Sequence, residues 1–349
     1  MRDFRLRISL LSPRVTVVVP NWNGEKFLDT CLSSLQEQTF QDFETVLVDN
    51  GSTDGSVAFV EENFPEVRVV RLPENRGFSA AVNGGIRSST TEFVALLNND
   101  TEQDPGWLGA LVRAADGHPE AGLFASKLVD FRDRRLLDGA GDALRSSGLP
   151  YRLGHGEVDR GQFDEPAFVF SACAAAALYR RELFRRIGLF DEDFFSNCED
   201  GDVSFRAQLA GYRCLYVPGS VVYHIGSAST GGKRSTTNTR LGTQNGINLL
   251  VKNLPATLAW RLLPSIVTGQ LARVLVVVLS RDGLFRAYLS GIVGAWRLLP
   301  KMLKKRKSIQ KRRRVSDDYV RRLLGESSRQ AAESQRRRIR DQIRVRFER

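Results

Sequence analysis

The stretch Thr91 to Asp104, TEFVALLNNDTEQD, carries an apolar run, Phe93 to Leu97, that stops abruptly at Asn98, Asn99 and Asp100. Five apolar residues bounded by polar ones predict a short buried strand. In a parallel sheet, ligands collect beyond the carboxyl ends of such strands. One carboxylate with two amide neighbours suits a hard divalent cation that carries phosphate oxygens. The same three residues also serve as an ordinary turn. A second cluster lies at Glu199-Asp200-Gly201-Asp202, ahead of an apolar helical pattern at Val203, Phe205 and Leu209. A helix start favours one acid. Three acids in four positions exceed that need, and like charges so close raise each other's pKa, a setting for a general base. His224 ends a short apolar run and is followed by Gly226-Ser227, a loop that tolerates phosphate. A lone histidine is more often a packed or surface side chain than a ligand.

The elements that must position these residues follow one pattern. Val15 to Val19 predicts a strand that breaks into Pro20-Asn21-Trp22-Asn23-Gly24. Glu25 to Gln38 places Phe27, Leu28, Cys31, Leu32 and Leu35 on one helical face. Phe43 to Val48 predicts a second strand ending in Asp49-Asn50-Gly51-Ser52-Thr53-Asp54-Gly55. Ser56 to Asn63 reads as a helix and Val67 to Leu72 as a third strand. The loop Pro73-Glu74-Asn75-Arg76-Gly77 leads into a small-residue helix, Phe78 to Arg87, that contains Asn83. This β-α-β-α-β-α-β order with short links predicts an α/β fold: a mostly parallel, Rossmann-like sheet with helices on both faces. Asn21, Asn23, Asp49, Asp54, Asn75, Arg76 and Asp100 then converge on one crevice. Acids suit ribose hydroxyls or base N–H groups, and Arg suits phosphate. The absence of GxGxxG after the first strand and of GxxxxGK[ST] anywhere disfavours a dehydrogenase or a P-loop NTPase.

Further along, Pro105 to Asp116 reads as a helix and Gly122 to Val129 as a strand. Asp130 to Glu165 is polar, Gly-rich and of mixed periodicity, an excursion that covers part of the site. Phe168 to Tyr179 is small and apolar, and Arg180 to Ile187 a short helix stopped by Gly188. Two short strands, Arg213 to Val217 and Val221 to His224, follow the acidic helix. The domain boundaries expected are an extension at 1–14, an α/β domain at 15–248 (halves 15–104 and 105–248) and a helical tail at 249–349.

The net charge of +11 is unevenly placed. Residues 301–349 hold 19 Lys and Arg against 6 Asp and Glu, or +13, which leaves the preceding 300 residues at −2. Cys31, Cys173, Cys198 and Cys214 have no CxxC spacing and read as small apolar residues in a reducing compartment. MRDFRLRISLLSPR has no sustained apolar core, so no cleaved signal peptide is expected. Residues 249–299 contain apolar patches interrupted by Lys252, Arg261, Arg273, Arg281, Asp282, Arg286 and Arg297. None is an unbroken run of the roughly 20 apolar residues a spanning helix needs. Apolar faces bordered by Arg and Trp fit helices lying in a membrane interface, with the basic end attracted to anionic lipid. A helical oligomerisation face and a solvated basic end are the alternatives. The tail lacks the interleaved aromatics of a nucleic-acid surface, and no nucleic-acid partner is expected.

Taken together, VTVVVPNWNG, VDNGSTDGS, LPENRGFSAAVNGGI, ALLNND and FDEDFFSNCEDGDVSFRAQLAGYRCLYVPGSVVYH resemble the family 2 glycosyltransferases of GT-A fold, and within them the bacterial rhamnosyltransferase-like branch. The resemblance spans about Val15 to Asn253. It implies inverting transfer of a sugar from a nucleoside diphosphate donor, with Mg²⁺ or Mn²⁺, to a polyprenyl-linked or glycan acceptor at the cytoplasmic face of the membrane, in cell-surface polysaccharide or cell-wall synthesis. Asn98-Asn99-Asp100 then stands where that family has DxD, with Asp100 as metal ligand and Asn98 a departure from the pattern. Asp49 matches the residue that meets the nucleotide, Asp200 the general base beside Glu199, and His224 a histidine that helps hold metal or diphosphate. Pro20, Asn21, Asn23, Asn75, Arg76, Gly77, Asn83, Asn98 and Asn99 fall on the nucleotide-sugar side. A nucleotidyltransferase and a non-catalytic nucleotide-sugar-binding scaffold are the alternatives. PNWNG lacks the basic Gly-rich loop of the first, and the presence of both Asp100 and Asp200 argues against the second.

Overall fold

A computed structural model describes residues 12–226, 235–279 and 283–347. Most of the 1–14 extension, Ser227, Arg281 and Asp282 lie outside the described residues. The N-terminal half alternates as expected: β1 (Val15–Asn21), α1 (Glu25–Gln36), β2 (Phe43–Asn50), α2 (Ser56–Asn63), β3 (Arg68–Leu72), α3 (Phe78–Ser88) and β4 (Phe93–Leu97). Short β5 (Thr101–Gln103) and α4 (Trp107–Gly117) lead to β6 (Ala121–Asp130). The excursion forms β7 (Leu137–Ala140) and a hairpin of β8 (Asp142–Leu144) with β9 (Pro150–Arg152). Then come β10 (Ala167–Val169), β11 (Ala176–Arg180), α5 (Arg181–Ile187), a 3₁₀ turn (Glu192–Phe194), α6 (Glu199–Leu209) and β12 (Arg213–His224).

The main path of the sheet runs β10-β12-β6-β11-β4-β1-β2-β3. Strands β1 to β4 are mutually parallel, and β12 is parallel to β6. The sheet is nonetheless mixed, because β11 lies antiparallel between β4 and β6. The two strands expected near residues 213 and 221 are one strand, β12, with an irregularity between Val217 and Val221.

The central strand β4 is apolar on both sides because each side is covered. On β1, Val15, Val17 and Val19 join the core beneath α1 and α4, while Val18 joins the core beneath α3. Alternate side chains of a strand point to opposite faces, so only a wholly apolar strand fits there. Gly85 permits the close approach of α3, since a Cβ there would lie 2.2 Å from a Val18 methyl.

The C-terminal region is four helices: α7 (Thr236–Asn253), α8 (Ala256–Leu279), α9 (Phe285–Arg312) and α10 (Asp317–Phe347). A boundary at 248/249 falls inside α7. Gly291 and Gly294 bring α9 against α7, where a Cβ would meet Arg240 O at 2.5 Å and Gln244 Oε1 at 2.1 Å. A third core, with Phe194, Phe205, Leu249, Leu258, Met302 and Leu324, joins these helices to α6. α10 zips along the excursion: Ser327 Oγ accepts Leu144 N–H, Ser334 Oγ accepts Gly154 N–H, and Arg337 pairs with buried Glu157. The helices expected as a tail thus pack in part on the α/β body.

Candidate active site

The strand ends and the start of α6 enclose a cleft of about 780 Å³. On the wall made by the strand ends, Asn99 Nδ2 donates to Asn21 Oδ1 at 2.6 Å, tying the end of β4 to the end of β1. Gly24 lies against this pair, and a Cβ there would sit 2.1 Å from Asn99 Nδ2. Asp100 is buried, and its carbonyl accepts Ile225 N–H at 3.0 Å. The β12–β5 register sets His224 opposite Thr101, which carries its imidazole to the neighbouring Asp100. His224 Nε2 lies 3.4 Å from Asp100 Oδ1, and Nδ1 lies 2.8 Å from Asp138 Oδ2. Burial works against a charged imidazole here. The carboxylates of Asp100 and Asp138 outweigh it and hold the group up to about 9.

On the opposite wall, α6 begins at Glu199 after a contorted loop. Phe195, Asn197 and Cys198 all have positive φ, at 60°, 70° and 66°. Such non-glycine conformations cost about 1–3 kcal/mol each and persist only where the surroundings fix them. The fixing group is Asn245 of α7, which is fully buried. Its Nδ2 donates to the carbonyls of Phe194, Ser196 and Asn197 at 2.7, 2.9 and 2.9 Å. Gly77 lets the strand-end wall touch the same loop, since a Cβ there would lie 2.6 Å from Phe195 O.

Asp200 is half-buried and faces the cleft, with Gly201 N–H donating to its Oδ1 at 2.7 Å. Burial raises its pKa, and the Arg152 charge and nearby backbone N–H groups offset part of that rise. Glu199 is buried, and burial plus the charge of Asp200 push it well above the carboxylate range. The pair thus divides into a neutral Glu199 and an ionisable Asp200, the separation that acid–base chemistry uses. Asp202 points the other way. It is fully buried and receives Arg206 Nε at 2.8 Å, Lys252 Nζ at 2.7 Å and Asn253 Nδ2 at 2.8 Å. It anchors the helix in the core and neither caps it nor faces the cleft.

Of the residues assigned from the sequence, Pro20, Asn21, Asn75, Gly77, Asn98, Asn99, Asp100, Glu199, Asp200 and His224 line the cleft. Asn23, Asp49, Arg76 and Asn83 are not among its lining residues. Asn23 Oδ1 accepts Thr53 N–H, and Asp49 accepts Ser52 N–H, so both fasten loops. Asp54 likewise accepts Ser56 N–H at the start of α2. Arg76 pairs with Glu192 at 3.1 Å. Asn83 is a buried clamp that exchanges hydrogen bonds with the Phe190 backbone. The excursion supplies three residues that sequence reasoning missed: Asp138, Asp142 and Arg152. Asp142 and Arg152 are register partners across the β8–β9 hairpin. Asp142, Cys173 and Asp200 offer ligand atoms within 4.8 Å of one another, in the manner of a metal cluster. The Arg152 guanidinium already neutralises them, with Nη2 2.8 Å from Cys173 Sγ and Nε 3.2 Å from Asp142 Oδ1. Among the described residues, Asp100 and His224 are the better cation edge, because buried Nε2 makes no hydrogen bond.

Comparison with known proteins identifies this arrangement. Residues 16–188 match the model of glycosyl transferase family 2. The chain is 28% identical to N-acetylglucosaminyl-diphospho-decaprenol L-rhamnosyltransferase of Mycobacterium tuberculosis, over 62% of this chain and 77% of that one. It is 32% identical to the pre-mycofactocin glycosyltransferase of the same organism, over 60% of this chain and 42% of that one. Among solved structures it is similar to a mannosyltransferase from Pyrobaculum calidifontis in complex with GDP-Man and Mn²⁺ (TM-score 0.54, 19% identity, 93% and 87% coverage). It is also similar to S. aureus TarS 1–349 (TM-score 0.55, 20% identity, 93% and 91% coverage). The chain is a glycosyltransferase of GT-A fold whose residues 16–188 form a glycosyl transferase family 2 domain.

Proposed function

We propose that this enzyme transfers a sugar, rhamnose foremost, from a nucleoside diphosphate donor to a polyprenyl-linked glycan with inversion, in cell-surface polysaccharide synthesis. The observation that carries the reading is the two-walled cleft, with Asp100 and His224 on one side and Asp200 on the other. The chemistry of the relatives supports the same donor and acceptor classes. On this reading the amides of Asn21, Asn98 and Asn99 orient the donor. Asp200 takes the proton of the acceptor hydroxyl as it attacks the anomeric carbon, and Arg152 keeps Asp200 ionised. Asp100 and His224 would hold Mg²⁺ or Mn²⁺, which neutralises charge on the departing diphosphate. Residues 15–104 form the donor half, and 105–248 with α7 the acceptor half. The test is release of nucleoside diphosphate from dTDP-, UDP- and GDP-sugars offered with polyprenyl-diphosphate-linked N-acetylglucosamine. Release is expected from one donor class, restored after chelation by Mg²⁺ or Mn²⁺. No release from any donor would overturn the reading.

The membrane surface completes it. Although Arg261 and Arg273 interrupt α8, this 24-residue helix is long and apolar enough to cross a bilayer. Its Trp260, Leu271, Leu275, Val276 and Leu279 are exposed, as are Trp296 and Val293 of α9. A single crossing would separate the ends of α8 by about 30 Å of hydrocarbon. The fold instead holds the middle of α8 beside the body, with Gly269 against Ser147 and Arg273 over the Tyr288 ring of α9. This supports α8 lying in the interface at the cytoplasmic face, with its outer side in lipid. Part of the basic excess is spent internally, as in Lys301 and Lys305 with Asp193. Leu271→Glu with Leu275→Glu is expected to move the enzyme from sedimenting anionic vesicles to the supernatant while leaving its melting temperature unchanged. Undiminished sedimentation would remove this face as the docking surface.

A further inference from the structure

His224 is held by a second carboxylate that lies outside the family pattern read from the sequence. Asp138 of β7 is almost fully buried and sets its Oδ2 2.8 Å from His224 Nδ1. An ionised carboxylate only accepts, so the proton in that contact belongs to Nδ1. When the ring is neutral, as a cation ligand must be, His224 Nε2 presents its lone pair toward Asp100 Oδ1, 3.4 Å away, in a buried position where it makes no hydrogen bond. The rest of the Asp138 carboxylate is also engaged. His155 Nδ1 lies 3.2 Å from Oδ1, and Arg152 Nη1 lies 3.4 Å from Oδ2. Those contacts keep the carboxylate from turning away from the imidazole.

We propose that Asp138 is a positioning residue for a divalent cation, fixing His224 in the Nδ1–H tautomer so that Nε2 and Asp100 form one edge of the cation site. A histidine that donates its far N–H to a carboxylate is oriented for its metal and made more basic. The antiparallel pairing of β7 with β6 and the parallel pairing of β12 with β6 bring the two residues together from 86 positions apart. The inference rests on Asp100 and His224 as the cation edge, and the experiment separates the two ideas.

The full-length chain has three histidines, so ring nitrogens can be assigned by single substitutions in ¹⁵N-histidine-labelled protein. In the Mg²⁺-loaded wild type, His224 is expected to carry its proton on Nδ1. Affinity for Mn²⁺ alone, read from the electron paramagnetic resonance of free Mn²⁺, is expected to fall by about ten- to hundredfold in Asp138→Asn and at least as far in His224→Ala. In Asp138→Asn the introduced amide donates to Nδ1 and moves the ring proton to Nε2. His155→Ala, which removes the other imidazole on Asp138, should change Mn²⁺ affinity by no more than about twofold on the same scale. A proton on Nε2 in the wild type overturns the proposal. So does wild-type Mn²⁺ affinity in Asp138→Asn where His224→Ala has lost it. Wild-type Mn²⁺ affinity in His224→Ala removes the cation edge itself. The wild-type tautomer decides the matter even if Asp138→Asn does not fold.

Discussion

Asp200→Asn is expected to lower the rate of sugar transfer by about 10²–10⁴-fold, the contribution of a positioned general base, while leaving donor affinity unchanged. The substitution is nearly isosteric. An amide oxygen can still accept Gly201 N–H, the 2.7 Å contact that holds the side chain at the start of α6. What is lost is the proton acceptor. Glu199 is a poor substitute, because burial, which is unchanged in the variant, pushes it above the carboxylate range, and its Oε2 is buried without a hydrogen-bond partner. On the proposed function, donor binding rests on the opposite wall, at Asn21, Asn99 and Asp100, and has no reason to change. The wild-type pH profile carries a second mark of the same group. Burial raises Asp200, so transfer should fall as pH drops through a value above the ordinary carboxylate range. The Arg152 charge holds that value down, and Arg152→Met should move the acidic limb upward. Near-wild-type turnover in Asp200→Asn, measured by nucleoside diphosphate release, would remove Asp200 as the base.

The donor wall is legible in the sequence because its logic is local. Strands β1, β2 and β4 are largely apolar runs that end in or run into Asn or Asp, where the chain must turn and where a ligand can sit. Phe93–Leu97 with Asn98-Asn99-Asp100 can be read from residue type alone. Asp138, Asp142 and Arg152 cannot. They lie in a polar, Gly-rich excursion of mixed periodicity, and only long-range strand pairing and the brace of α10 bring them to His224 and Asp200. The same distance hides the roles of Asn83 and Arg76. Arg76 in a run of loop residues and Asn83 in a small-residue helix resemble ligands, yet they fasten the Phe190–Glu192 segment that precedes the acidic helix. Lys252 misleads for a related reason. Along the chain it breaks an apolar patch, as a surface lysine would; in the fold it is 3% exposed, between Asp191 and Asp202 at 2.7 Å each.

That burial gives the second large effect. Asp202→Ala is expected to destabilise the fold by about 3–5 kcal/mol, the cost of breaking a buried ion pair from one side. The carboxylate has no exposed surface and answers Arg206, Lys252 and Asn253 together. Burial opposes its charge, but those partners hold its pKa well below the ordinary range. By linkage, such a depressed group contributes stability above its unfolded pKa, about 3.9. That stability is lost only as pH falls through the lower folded value, so it is fully present at neutral pH. Without Asp202, Arg206 keeps backbone carbonyls at Ile187, Gly188 and Leu189, and Lys252 keeps Asp191. Two cations then share a core that lacks their common anion. Adding Lys252→Met to Asp202→Ala should recover part of the loss, because an apolar pair of similar volume avoids the desolvation of both charges. Denaturant midpoints of the wild type, the two single variants and the double variant measure the coupling. If Asp202→Ala costs less than about 1 kcal/mol, the size of an exposed pair, the network does not anchor α6. Asp200 is two residues from this anchor on the same helix turn. A loosened Asp202 should therefore also lower turnover at temperatures where the enzyme is still folded.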